Sequence, residues 1–161
     1  MQVRFTSVSG HVDTCDDPPT SSLELVVVTA SIVSNSVGCD LRAAEHLDVG
    51  RHPTATFRAT STRWGGGLAR FRGWLTIVGV TNQVDVDVCH RGTVADPSGT
   101  PRNVFSGAAS IDRDSWGLSW NVTLVDGRVL VERSVDLEFE LEAMRQPTPS
   151  APSTSSETGR H

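Results

Sequence analysis

"FRGWLTIVGVTNQVDVDV", residues 71–88, decides the fold class. Phe71, Leu75 and Ile77 fall on one face of its first half. Val84, Val86 and Val88 fall on one face of its second, with Asp85 and Asp87 opposite. A repeat of two is the period of a strand, whose successive side chains point to opposite faces; a helix would align apolar residues every three or four positions. Two such runs joined by a turn make a hairpin. Its apolar face either packs as core or, in a sheet closed into a barrel, lines a ligand cavity, and alternation allows both.

Similar signals run outward from this hairpin. "SLELVVVTASI" (22–32) is rich in β-branched residues, and "TATFRATSTRW" (54–64) alternates around Phe57. Gly65, Gly66 and Gly67 then read as a turn returning through "LARFRGWLTIV", because glycine supplies the positive φ that tight turns require. A glycine-rich loop cradles phosphate only where a helix opens directly after it, and here a strand follows. "ADPSGTPRN" (95–103) is a loop by its Pro, Gly and Ser content. Beyond "VFSGAASI" and "VDG", Val135, Leu137, Phe139 and Leu141 alternate with Asp136, Glu138, Glu140 and Glu142, the pattern of a half-buried strand whose acids are solvated. The one helix expected is "CDLRAAEHLDV" (39–49), where Leu41, Ala44 and Leu47 share a face. From residue 145, "RQPTPSAPSTSSETGRH" has almost nothing to bury and reads as a disordered tail. The expected organisation is one domain over 1–144 and a tail over 145–161. Its fold class is all-β, an antiparallel sandwich or barrel.

Composition narrows the function classes. The chain has 161 residues, a net charge of -5, and fourteen basic residues that are all arginine. An acidic chain without a basic stripe is a poor nucleic-acid binder. Without lysine there is no Schiff base and no Walker-type phosphate loop. Cys15, Cys39 and Cys89 stand far apart with no C-x-x-C, which favours free thiols in a reducing compartment. No stretch approaches the apolar length of a membrane span, and "MQVRFTSVSG" lacks the apolar core of a secretory signal. The expectation is a cytoplasmic protein with no integral membrane segment; export would follow only from a start further upstream.

No catalytic or metal-binding set assembles. His11, His46, His52 and His90 show neither the i, i+4 spacing nor the cysteine company of a zinc site. Cys89 and His90 are neighbours in a strand and should face oppositely. "NVT" at Asn121 matches a glycosylation sequon, which matters only on export. Neither a cofactor nor a metal is expected.

Three collinear segments carry a family resemblance. "LDVGRHPTATF" (47–57) resembles F-D-x-x-x-x-P-x-x-x-F at Asp48, Pro53 and Phe57. "GWLTIVGVTNQVDVDV" (73–88) resembles G-x-L-T-I-x-G-V-T-x-P-V-x-L-x-V at Gly73, Leu75, Thr76, Ile77, Gly79, Val80, Thr81 and Val84. "SIDRDSWGLSWN" (110–121) is similar to I-N-R-x-D-F-G-L at Ile111, Arg113, Gly117 and Leu118. The chain thus resembles the YceI-like family, lipocalin-like β-barrels that bind polyisoprenoid or other long amphiphilic lipids, from about Val3 to Ala143. It departs at several points. The family's opening strand, with its aspartate and histidine-serine pair, has no counterpart, so either the true start lies upstream or the sheet closes another way. The R-D-x-H-L-R segment is shortened to "GCDLR", keeping Asp40, Leu41 and Arg42 but losing the histidine. Gln83 replaces the usual proline, and Ser115 and Trp116 replace Asp-Phe.

The resemblance implies a lipocalin-like antiparallel barrel with one short helix. Its lipid cavity would be lined by Phe57, Phe71, Leu75, Ile77, Val84, Val86, Leu137 and Phe139, with Asp40, Arg42 and Arg113 as a polar rim. The expected function is non-catalytic binding or carriage of a polyisoprenoid-like lipid, by a monomer or a homodimer. A filled barrel acting as a protein-interaction module, or an enzyme acting on an isoprenoid lipid, are the alternatives.

Overall fold

The computed structural model describes residues 3–16, 19–34, 40–121, 125–129 and 131–146. Cys39 and most of the expected tail, from residue 147, lie outside the described residues. Among the described residues nine strands follow in chain order: β1 (Val3–Phe5), β2 (Val8–Asp16), β3 (Pro19–Val28), β4 (Ile32–Ser34), β5 (Thr54–Gly65), β6 (Leu68–Ile77), β7 (Val80–Ala95), β8 (Pro101–Asp112) and β9 (Ser134–Ala143). Seven of them form one antiparallel sheet in the order β2-β3-β5-β6-β7-β8-β9, and β1 pairs with β4 as a separate ribbon. The sheet curls into a half-barrel of the expected all-β, antiparallel class. Among the described residues β2 and β9 are its two edges and do not pair with each other.

The opening hairpin sits at the centre of this sheet. β6 and β7 are in register from Ile77↔Val80 to Leu68↔Cys89, so Phe71 faces Val86 and Gly73 faces Val84. Its turn is Val78 and Gly79, both at positive φ (50° and 74°). A β-branched residue is uncommon there; Val78 is held because its side chain packs against a cluster built on Ile32, Leu41 and Leu47. The β5–β6 turn uses Gly66 and Gly67 at φ 61° and 77°, as the glycine triplet requires. The β7–β8 loop closes on Asp96.

Residues 40–51 form turns rather than the expected helix. The bonds there include Ala43 N to Asp40 O, His46 N to Ala43 O, Leu47 N to Leu41 O and Asp48 N to Ala43 O, without a repeating i to i−4 ladder. Asp40 accepts the Arg42 N–H on its side chain at 3.1 Å, an Asx-type bond that competes with helix initiation. Asp48 ends the segment at φ 44°. Leu41 and Leu47 are buried as the spacing suggested, but a succession of turns delivers them. The only helical residues described are two single 3-10 turns, Thr29–Ser31 and Arg113–Trp116.

Two contiguous cores result. The larger lies against the inner face of the sheet, around Leu23, Leu25, Phe57, Phe71, Val84, Val86, Ile111 and Trp116. The smaller, on Ile32, Leu41 and Leu47, joins it through Ile77 and Leu118.

Candidate ligand-binding site

Strand register brings the eight expected apolar residues to one face. Leu25 opposes Phe57, Phe57 opposes Leu75, Phe71 opposes Val86, and Phe139 and Leu137 continue the row beyond Gly107 and Ala109. Phe57, Phe71, Val84 and Val86 are buried, Phe71 to 2 % exposure; Leu75, Ile77, Leu137 and Phe139 are half-buried and pack against them. Asn82 interrupts this apolar face, and at the far end of β7 and β8 His90 and Asn103 share it with Phe105. Sequence reasoning omitted Phe105, Val135 and Leu141 from this face, although each packs on the same cluster. The alternation at 135–141 could have added two of them; Phe105 is hidden by the run of small residues that follows it.

The three expected rim residues divide into two places. Asp40 and Arg42 share the turn segment, where Arg42 donates to Ala30 O (2.9 Å) and Ile32 O (2.6 Å). Arg113 is buried at 6 % exposure. Its guanidinium donates to the carbonyls of Glu132 (2.8 Å), Trp120 (2.7 Å), Val131 (3.4 Å) and Leu118, and stands 5.5 Å from the centre of the Trp120 ring. It joins the end of β8 to the approach to β9.

Trp116, beside Arg113, is the buried residue whose place the sequence left in outline. It is 4 % exposed, belongs to the main core, and donates its indole N–H to Leu75 O at 3.0 Å. Its neighbour Ser115 accepts from the Asn82 amide at 2.8 Å. Both bonds pin the 3-10 turn onto β6 and β7.

The outer face is ionic. Arg70 and Arg72 grip Asp87 and Asp85 in bidentate pairs with distances of 2.7–2.9 Å. Hydrogen bonds from these guanidiniums hold both carboxyls below the ordinary aspartate range. Such solvated pairs orient side chains more than they stabilise the fold. A shallow cleft of about 370 Å³ on this face runs along His11, Glu24, Arg58, Thr60 and Trp74. A second, of about 650 Å³, opens between β7 and β8. Cys89 is a free thiol of intermediate exposure, while His90 turns to the other side, against the Phe105 ring and Asn103. Among the described residues no three His, Cys, Asp or Glu side chains converge as metal ligands, and no helix is long and apolar enough to cross a membrane.

A family model described as the YceI-like domain matches residues 1–143. A UPF0312 protein of Pseudomonas paraeruginosa is 30% identical over 147 residues, covering 89% of this chain and 73% of that protein. Another, from Ectopseudomonas mendocina, is 30% identical over 133 residues, 81% of this chain and 66% of its own length. Two solved structures share the fold. The Campylobacter jejuni YCEI protein superposes with a TM-score of 0.71 at 19% identity, covering 91% of this chain and 85% of its own. Burkholderia cenocepacia BcnA gives 0.64 at 20%, covering 88% and 87%.

Proposed function

The chain belongs to the YceI-like domain family, and from that membership we propose that it binds a long apolar or amphiphilic lipid, polyisoprenoid-like, against the inner face of its sheet without acting on it chemically. The observation that carries this reading is the apolar inner face built from Leu25, Phe57, Phe71, Leu75, Val86 and Phe139, interrupted at Asn82. Its β9 end remains half-exposed and offers a surface onto which an apolar chain can be laid. Among the described residues no carboxylate stands on this row; His90, against the Phe105 ring, borders it, and the charged pairs lie on the opposite face.

The energy required is modest. Each buried methylene is worth about 0.8 kcal/mol, so a five-carbon isoprene unit contributes roughly 3–4 kcal/mol before ordering costs. Two or three buried units would reach micromolar affinity, about 8 kcal/mol.

The burial of Phe57, Phe71, Val84 and Val86 favours a second reading, a filled barrel that meets a protein partner through an outer residue such as Trp74, which is 57 % exposed. Titration with a fluorescent prenyl alcohol, alongside thermal melts, separates the two. In a lipid-binding barrel Leu75→Trp abolishes probe binding and keeps the melting temperature near that of the parent, while Glu138→Trp on the outer face binds normally. A filled barrel gives no probe binding by the parent, and Leu75→Trp melts several degrees lower.

A further inference from the structure

We infer that the gap between β7 and β8 is the mouth through which a lipid reaches the inner face, and that it favours a neutral, hydroxyl-bearing head group, which stays at Gln83 and Ser110. This rests on the lipid-binding reading and adds a route and a head-group class to it.

The β7–β8 ladder is continuous from Ala95↔Pro101 to Asp87↔Ala108 apart from one bulge, and there it stops. Extending the same register would pair Asp85 with Ser110 and Gln83 with Asp112, yet neither pair forms. Both strands are nonetheless intact at that level: Val84 pairs with Gly73 on β6, and Ile111 pairs with Val135 on β9. The sheet therefore splits in its interior rather than at an edge. Backbone groups facing such a split have lost their ladder partners and need other polar atoms. The 3-10 turn after β8 borders the split. Bonds from Trp116 to Leu75 O and from Asn82 to Ser115 O fasten this turn across β6 and β7.

What opens there suits an amphiphile. The cleft of about 650 Å³ includes Val84, Ile111 and Trp116, which are 7 %, 7 % and 4 % exposed and belong to the main core. Its outer lining is polar, so the rim of the cleft meets water while its floor touches the apolar core. The guanidiniums at this mouth already face carboxylates, Arg72 with Asp85 at 2.7 Å and Arg133 with Asp112 at 2.9 Å. A phosphate would have to displace one of those acids and remain beside it. An alcohol needs only a donor and an acceptor, which the Gln83 amide and the Ser110 hydroxyl supply.

The probes are a prenyl alcohol carrying a diazirine next to its hydroxyl and the same chain as a monophosphate. Photolysis with the parent protein should label residues 82–85 and 110–116; label confined to β2 or β9 would overturn the mouth. Ser110→Trp, which adds an indole at the split, should weaken alcohol binding about tenfold or more, a loss of about 1.4 kcal/mol. Ala108→Trp, where the ladder is closed, should leave it unchanged. Equal binding by the two variants overturns the mouth while the lipid-binding reading survives. Failure of the parent to bind either probe overturns both. Tighter binding of the monophosphate overturns the head-group assignment. If Ser110→Trp does not fold, the labelling pattern of the parent decides.

Discussion

Phe139 of β9 lies directly over Gly107 of β8, its cross-strand partner, so that a Cβ at position 107 would stand 2.0 Å from Phe139 Cζ. The glycine is there because the ring occupies the space its side chain would need. An aromatic covering a cross-strand glycine is a pairing device that fixes register as well as packing.

Gly107→Ala should therefore destabilise the protein by about 1–3 kcal/mol, the usual cost of overpacking. Combined with Phe139→Leu, which withdraws the ring, the same substitution should cost much less. Denaturant melts of the parent, both single variants and the double variant form the cycle that tests the contact. An equal cost in both backgrounds would show that the ring does not sit on Gly107 in solution.

Arg113 should be irreplaceable by lysine. Its fork reaches carbonyls at Leu118, Trp120, Val131 and Glu132, and one ammonium cannot span that set. Each buried carbonyl left unpaired costs about 1–3 kcal/mol, so Arg113→Lys and Arg113→Ala should both lose several kcal/mol in denaturant unfolding. A lysine variant with the stability of the parent would mean that water satisfies these carbonyls.

The sheet was legible where side chains alternate without interruption. Phe71 to Val88 and Val135 to Leu141 reveal both their strands and their inner faces, because a period of two survives any partner. The segment from Leu41 to Leu47 was misread because two buried leucines six apart suit a helix face and also a chain of turns, and only the Asp40 side chain bond to Arg42 N breaks the tie. Arg113 stood out as a match to the family pattern and as an expected rim residue, but its carbonyl partners were invisible: three of them lie seven to nineteen residues away. The split between β7 and β8 leaves no mark at all in the pattern of Val84, Val86 and Ile111, and the tryptophan beside it is bonded to a strand 41 residues away.

The β7–β8 loop should respond to acid at unusually low pH. Asp96 accepts from Ser98 Oγ (2.6 Å), Ser98 N (2.9 Å), Thr100 N (2.9 Å) and Arg102 Nη2 (3.1 Å). Led by the Ser98 hydroxyl, these donors hold its pKa down to about 2. The folded value lies below the unfolded one of about 3.9. The contribution is therefore complete above pH 4 or so and is lost as pH falls through about 2. Carboxyl NMR should place the Asp96 midpoint near 2, and Asp96→Asn should remove this loop's acid response. A midpoint close to that of a free aspartate would show that the Asp96 network is open in solution.

The acids of β9 should keep this edge from pairing with other chains. β9 offers a ten-residue edge whose outward backbone groups have no neighbouring strand among the described residues. On its inner side Val135, Leu137, Phe139 and Leu141 are half-buried, and on its outer side Asp136, Glu138, Glu140 and Glu142 are exposed. Half-covered apolar residues beside free N–H and C=O groups are a template for a further strand, and like charges along the edge are a known protection against it. Two β9 strands meeting antiparallel would bring acids opposite acids, which is unfavourable. Glu138→Val with Glu140→Val removes half of the protecting charges while raising strand propensity. Sedimentation velocity at neutral pH should then show concentration-dependent association beyond that of the parent, whereas Glu138→Asp with Glu140→Asp, still acidic and still repelling its own copy, should not. Because both double variants alter the same two outward positions, a difference between them isolates charge from loss of the glutamates. If the valine variant associates no more than the parent, β9 is covered in solution by another part of the protein, and the acids serve another purpose.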